Sequence, residues 1–239
     1  MILKAVITGD LISSSIFKPE QRKTIQIHLK DVLEKIYAID ETKFFIFRGD
    51  SIQGIINNPK YALRDAIFIK AGLKSLQFDH GKRASNVDIR LSIGLGEISF
   101  YGGSIQESDG PAFHFSGREL ENLKKSNRSL SLTSADDGEN KKWQVILGLM
   151  EDVMTKWTIS SAEIVYNLLL VNNEAAISEI LKISQPAVNL RKKHAGWEAI
   201  KATIEIGGLS KLPYDLNNLE IEKYGGMFTR QFIIKFHSS

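Results

Sequence analysis

The sequence predicts an α/β (α+β) fold: a ferredoxin-like βαββαβ sandwich followed by a helical part of helix-turn-helix or winged-helix type. Three observations carry this expectation. Short β-branched runs alternate with helical apolar stripes over the first hundred residues. A polar, glycine-containing stretch at Ser134–Asn140 then interrupts the pattern, and closely spaced helical segments follow it. The implied division is 1–135 and 141–239. With 239 residues, 43% hydrophobic and 25% charged, the chain is long enough to bury a sizeable core and lies outside the disordered class.

Lys4 to Thr8 is an apolar, β-branched run stopped by Gly9-Asp10, as expected of a buried strand entering a loop. From Pro19 to Ile39, Ile25, Leu29, Val32, Leu33, Ile36 and Ile39 recur at helical spacing behind a Pro-Glu opening. Phe44–Phe47 and Ile52–Ile56 are two strands around Arg48-Gly49-Asp50-Ser51, a tight hairpin. Tyr61 to Leu76 carries a second helical stripe, and Val87 to Ile98 alternates as a long strand. In this order two helices cover one face of an antiparallel sheet, leaving the opposite face or its edge loops for function. A glycine-rich loop (Gly102 to Gly110), a helix (Phe113 to Lys125) and a strand (Ser129 to Thr133) complete the first part. Helices follow at Trp143–Lys156, Ser160–Val171, Glu174–Leu181 and Ser184–His194. The tail from Leu219 to Phe236, broken by Gly225-Gly226, reads as a hairpin.

Charge and chemistry narrow the function classes. Cysteine is absent, which excludes disulfides and thiolate metal sites and leaves oxygen and nitrogen ligands. The start MILKAVITGD reaches an aspartate by residue 10 and no run of about 18 apolar residues occurs, so a cytoplasmic chain without signal peptide or membrane span is expected. Asp10 and Asp50 terminate strands that neighbour each other in a split βαβ sheet, and converging carboxylates beside backbone carbonyls suit Mg²⁺ or Mn²⁺. The alternative on spacing alone is two turn-forming aspartates.

Four segments add to this: Val6-Ile7-Thr8-Gly9-Asp10-Leu11-Ile12-Ser13-Ser14, Phe47-Arg48-Gly49-Asp50-Ser51, Ile89 to Gly96, and Gly110 to Leu120. In this order they resemble the signature segments of class III nucleotidyl cyclases, whose catalytic domain is palm-like. Together with a following helix-turn-helix they look still more similar to the SatD family. The resemblance implies Asp10 and Asp50 as metal ligands, with the carbonyl of Leu11 or Ile12 beside them. It implies Ser13 and Ser14 in the nucleotide-binding loop, and Arg118 as the transition-state arginine. Two positions depart from the pattern: His114 stands where asparagine is usual, and Ile46 where a purine-reading lysine is usual. Metal binding is therefore expected to be kept and base selection lost or changed.

Glu174 to Val188 resembles the helix-turn-helix of bacterial regulators, with Lys182 in place of the usual turn glycine and Lys192 where an aliphatic residue is usual. Ile177, Ile180 and Leu181, then Ile183, Ala187, Leu190 and Trp197, form the expected inward stripes. Gln185, Asn189, Lys192 and Lys193 form the outward, DNA-binding face. Five basic residues face one acid between Lys182 and Lys201. Two functions are thus expected: a DNA-binding transcriptional regulator, dimeric, whose first part binds a nucleotide with Mg²⁺, or an active nucleotidyl cyclase acting on a nucleoside triphosphate. A third reading keeps the first part only as a dimerisation scaffold.

Overall fold

The expected opening strand forms β1, Lys4–Leu11, and its alternation sets the layers of the molecule. The computed structural model describes residues 3–40, 42–47, 50–78, 87–171 and 173–207. Ala5, Ile7 and Leu11 point into the main core, while Val6 packs with Ala112 and Phe113 on the opposite face. The first face is covered by α1 (Pro19–Asp40) and α2 (Ala62–Lys74). The second is covered by α3 (Pro111–Ser126).

The remaining strands are β2 (Phe44–Phe47), β3 (Ser51–Ile56), β4 (Ile89–Gly96) and β5 (Leu130–Thr133), in spatial order β2-β3-β1-β4-β5. The first four give the βαββαβ order, with β1 antiparallel to both neighbours as expected. β5 lies parallel to β4 through the α3 crossover, so the sheet is mixed rather than antiparallel. β4 is consequently buried on both faces: Ile89, Leu91 and Ile93 on one, Ser92 and Gly94 on the other.

Two glycines set the distance between α3 and the sheet. A Cβ on Gly94 would come within 2.1 Å of the Ala112 carbonyl oxygen and 2.6 Å of the Ser116 nitrogen, and one on Gly96 within 2.8 Å of the Ala112 nitrogen. The helix backbone rests directly on β4, which lets the Thr8 and Ser116 hydroxyls meet at 2.9 Å.

The second part packs on the outer side of α2. Helices α4 (Asp137–Met154), α5 (Ile159–Val171), α6 (Glu174–Leu181), α7 (Gln185–Ala195) and α8 (Trp197–Ile206) share one continuous apolar core with the sheet and with α1 and α2. Tyr166 of α5 stacks on Phe68 of α2 at 4.5 Å, and Gly72 leaves room for it beside Val32. Trp157 is buried and donates its indole N–H to the Ala195 carbonyl at 2.9 Å. Burying an aromatic of that size stabilises by about 2–3 kcal/mol.

Several sequence expectations need correction. Most of the segment read as a linker opens α4, because Asp136 caps it by accepting from Gly138 and Glu139 N–H and acidic residues fill the first turn. On α7 the inward residue is Val188, and Leu190 is exposed, since Val188 and Ala195 seven residues apart share one face. Helix α8 was not expected from the sequence, although Trp197, Ile200 and Ile204 carry its buried stripe. The expected hairpin at Leu219–Phe236 lies outside the described residues. No helix among the described residues is long and apolar enough to cross a membrane.

Candidate functional site

The ends of β1 and β3 meet on the α3 side of the sheet. Asp10 pairs in register with Ser51 of β3 and with Arg90 of β4, so Ser51, Asp10 and Arg90 form one row across that face. Ser51 Oγ donates to Asp10 Oδ1 at 3.1 Å. Asp50, one residue earlier, accepts from Ser14 Oγ at 3.1 Å through Oδ2 and from the Leu11 N–H at 2.9 Å through its backbone carbonyl. The two aspartates are thus tied to each other's loops, and the turn that follows β1 is held against the hairpin. Ser13 in that turn adopts a left-handed conformation, φ 53°, which costs a non-glycine residue about 1 kcal/mol.

The turn has a second anchor. The Ile12 N–H donates to the Asp88 carbonyl at 2.9 Å. The Asp88 carboxylate is held by Lys70 Nζ at 2.7 Å and Lys74 Nζ at 2.9 Å. Burial pushes the Asp88 carboxyl up, but the two ammonium groups outweigh it and its pKa falls below the ordinary value. Lys70, fully buried, also donates to the Ile89 carbonyl at 2.8 Å.

A cation from α3 completes the site. Lys124 Nζ lies 3.7 Å from Asp10 Oδ2 and 2.8 Å from Glu121 Oε1. Its pKa is raised, first by the Glu121 hydrogen bond and also by the Asp10 charge, so it stays an ammonium. Arg90 Nε and Ser92 Oγ, on the same face beneath α3, are buried atoms without a hydrogen-bond partner among the described residues. The donor set fits a small hard cation. Mg²⁺ commonly takes one or two carboxylates, with water and phosphate oxygens supplying the rest. Among the described residues no cluster of three or more His, Cys, Asp or Glu side chains offers an all-protein cage.

The structure brings Asp10, Asp50, Leu11 and Ser14 together, with Ser13 exposed on the adjoining turn. His114 and Arg118 stand elsewhere on α3. Ser116 sits over Thr8 and Lys124 over Asp10, so Arg118 and His114 are about 9 and 15 Å up the helix axis from Lys124. His114 Nε2 pairs with Asp109 Oδ1 at 2.9 Å, both exposed. Arg118 is exposed and makes no ion pair with a described residue. Ile46 pairs with Ile52 and packs on the main core, so position 46 turns away from the face that carries Asp10. Phe47 instead shares the row of Ser51 and Asp10, and meets Phe45 edge-on at 4.6 Å. Lys124 and the Lys70–Asp88 pair are not legible in the sequence because their partners come from other elements, and Arg90 is not because its place beside Asp10 is set by strand register.

No protein-family model matches the chain, and no curated protein matches it. Solved structures similar to it include nucleotidyl cyclases. One is a bacterial light-regulated adenylyl cyclase (17% identity, 55% of this chain and 76% of that one, TM-score 0.41). A second structure of a bacterial light-regulated adenylyl cyclase aligns at 18% identity over 55% and 43%, TM-score 0.42. The guanylyl cyclase Cya2 aligns at 16% identity over 50% and 70%, TM-score 0.37. Overlaps of this size leave function to be argued from the chemistry of the site.

In the helical part, α6 and α7 are joined by a short turn. Lys182 adopts φ 52° as the C-cap of α6, the position where a glycine is usual, and Ser184 caps α7 by accepting from the Ala187 N–H. Gln185, Asn189 and Lys193 form one exposed row at four-residue spacing. Lys192 leaves that row, because it follows buried Val188 by one turn. It is half-buried and pairs with Glu174 at 2.5 Å and Glu198 at 3.9 Å.

Proposed function

We propose that the chain binds a nucleoside triphosphate with Mg²⁺ or Mn²⁺ at Asp10 and Asp50 and carries out nucleotidyl transfer of the cyclase type. The observation that carries this reading is the pair of aspartates on adjoining strand ends, each held by a serine from the other's segment. Holding both carboxylates before any ligand arrives reduces the reorganisation that metal and phosphate binding require. The bound cation would neutralise phosphate charge and stabilise the departing pyrophosphate. Asp10 and Asp50 orient that charge, while the Leu11–Ser14 turn, clasped by Asp50 and Asp88, offers backbone and hydroxyl groups beside the phosphates.

Arg118 is exposed, makes no ion pair with a described residue and is displaced along α3 from Asp10, which favours its acting in the site of a second copy of the chain. In a cyclising reaction it would meet charge developing on the transferred phosphate as a ribose hydroxyl displaces pyrophosphate. The test is thermal unfolding and pyrophosphate release with each nucleoside triphosphate and Mg²⁺ or Mn²⁺. A midpoint rise and turnover that Asp10→Ala/Asp50→Ala abolishes are expected. Mixing separately inactive Asp50→Ala and Arg118→Ala chains should restore part of the activity. No rise and no turnover with any combination would refute the reading.

The exposed row Gln185, Asn189 and Lys193 on a capped helix favours a second reading, in which α7 meets DNA and nucleotide occupancy adjusts that contact. Salt-dependent duplex retention that Lys193→Ala weakens is expected. Retention unaffected by Lys193→Ala and Gln185→Ala together would remove α7 from the DNA face.

A further inference from the structure

We propose that Lys124 is a built-in counter-ion of Asp10 that resists a lone divalent cation and transfers to the phosphates when metal and nucleotide arrive together. The inference rests on the reading of Asp10 and Asp50 as metal ligands and adds a coupling between the two ligands. Both oxygens of Asp10 are already engaged, Oδ1 by the Ser51 hydroxyl and Oδ2 by the Lys124 ammonium at 3.7 Å. A cation using Oδ2 must displace that ammonium or meet its repulsion. Lys124 can transfer to another anion, because it is also bonded to Glu121 at 2.8 Å and is 38% exposed, so it leaves Asp10 without losing its other partner.

Charge balance gives the coupling its sign. Asp10 faces Lys124 of α3 and stands in register with Arg90 of the adjoining strand; with Asp50 and with Glu121, which also holds Lys124, the set has three negative and two positive groups. Adding a divalent ion alone leaves this set with excess positive charge at a site where Asp10 is only about one-quarter exposed. Adding the ion together with a triphosphate removes the excess and offers Lys124 phosphate oxygens in place of the carboxylate. Metal alone is therefore held back, and metal with nucleotide is favoured. Lys125, the next residue on the same helix, is exposed and makes no ion pair with a described residue, so it is a control for general charge.

The experiment uses the full chain as wild type, Lys124→Gln, Lys125→Gln and Asp10→Asn/Asp50→Asn. Mn²⁺ binding is followed by electron paramagnetic resonance. Binding of a fluorescent, non-hydrolysable nucleoside triphosphate is followed at saturating Mn²⁺. For Lys124→Gln, Mn²⁺ alone should bind about five- to tenfold more tightly, and the analogue about tenfold more weakly. Lys125→Gln should stay within about twofold of wild type in both assays, as expected for an exposed charge. The double asparagine variant should bind no Mn²⁺. Lys124→Gln matching Lys125→Gln, or weakening both ligands, overturns the inference while leaving the metal reading in place. Absence of Mn²⁺ binding in both wild type and Lys124→Gln overturns the metal reading and the inference with it.

Discussion

Replacing Gly94 by alanine tests the seat of α3. The added methyl carbon would lie 2.1 Å from the Ala112 carbonyl oxygen and 2.6 Å from the Ser116 nitrogen. These are backbone atoms of a helix and cannot rotate away, so relief requires α3 to rise by on the order of 1 Å. Overpacking of this kind costs about 1–3 kcal/mol. The Thr8–Ser116 hydrogen bond at 2.9 Å stretches with it, adding about 1 kcal/mol. A total loss of about 2–4 kcal/mol at an m-value of about 2 kcal/mol per molar urea lowers the unfolding midpoint by about 1–2 M. Gly117, on the same helix with nothing within 4 Å of an added Cβ, provides the opposite case. Gly117→Ala should stabilise by about 0.5–1 kcal/mol, because alanine restricts the unfolded chain and suits a helix interior. Equilibrium urea unfolding of the two variants measures both. If Gly94→Ala unfolds at the wild-type midpoint, α3 does not rest on β4 in solution, and the placement of Lys124 over Asp10 falls with it.

Other outcomes follow from single contacts. The Tyr166 hydroxyl is buried with no hydrogen-bond partner among the described residues, so Tyr166→Phe should leave stability unchanged or raise it by up to about 1 kcal/mol in the same urea assay; a loss of stability would mean the hydroxyl is paired. Lys182 pays for a left-handed backbone at the end of α6, and Lys182→Gly should raise the thermal midpoint by a few degrees, about 1 kcal/mol; a drop would show that its side chain packs. His28 is buried and donates to the Gly72 carbonyl at 2.9 Å, and burial holds its pKa below the ordinary 6.5. Its folded pKa is lowered, so its contribution to stability is complete above pH 6.5 and is lost as pH falls towards the folded value. The urea midpoint should therefore drop between about pH 7 and 5, and by less in His28→Gln; equal slopes in the two proteins would place the proton uptake elsewhere.

The order βαββαβ, the bounds of α6 and the placing of Asp10 and Asp50 at strand ends were legible in the sequence, because they depend on local periodicity and on turn residues that act within a few positions. The phase of α7 was less so: Val188 and Leu190 are both aliphatic, and only packing against the other helices decides which of them is buried. Lys192 changed from an outward cation to a partner of Glu174 for the same reason. The parallel pairing of β5, the seating of α3 on Gly94 and the ion pair between Lys124 and Asp10 lie still further from the sequence. The sequence by itself determined the five strands and most of the helices, with α8 and the start of α4 as exceptions, and it placed Asp10 and Asp50 beside each other at strand ends. Tertiary structure decided which cation faces Asp10 and which of the expected site residues stand apart from it. The Lys124–Asp10 contact joins residues more than a hundred positions apart, and its geometry is set by close packing between layers.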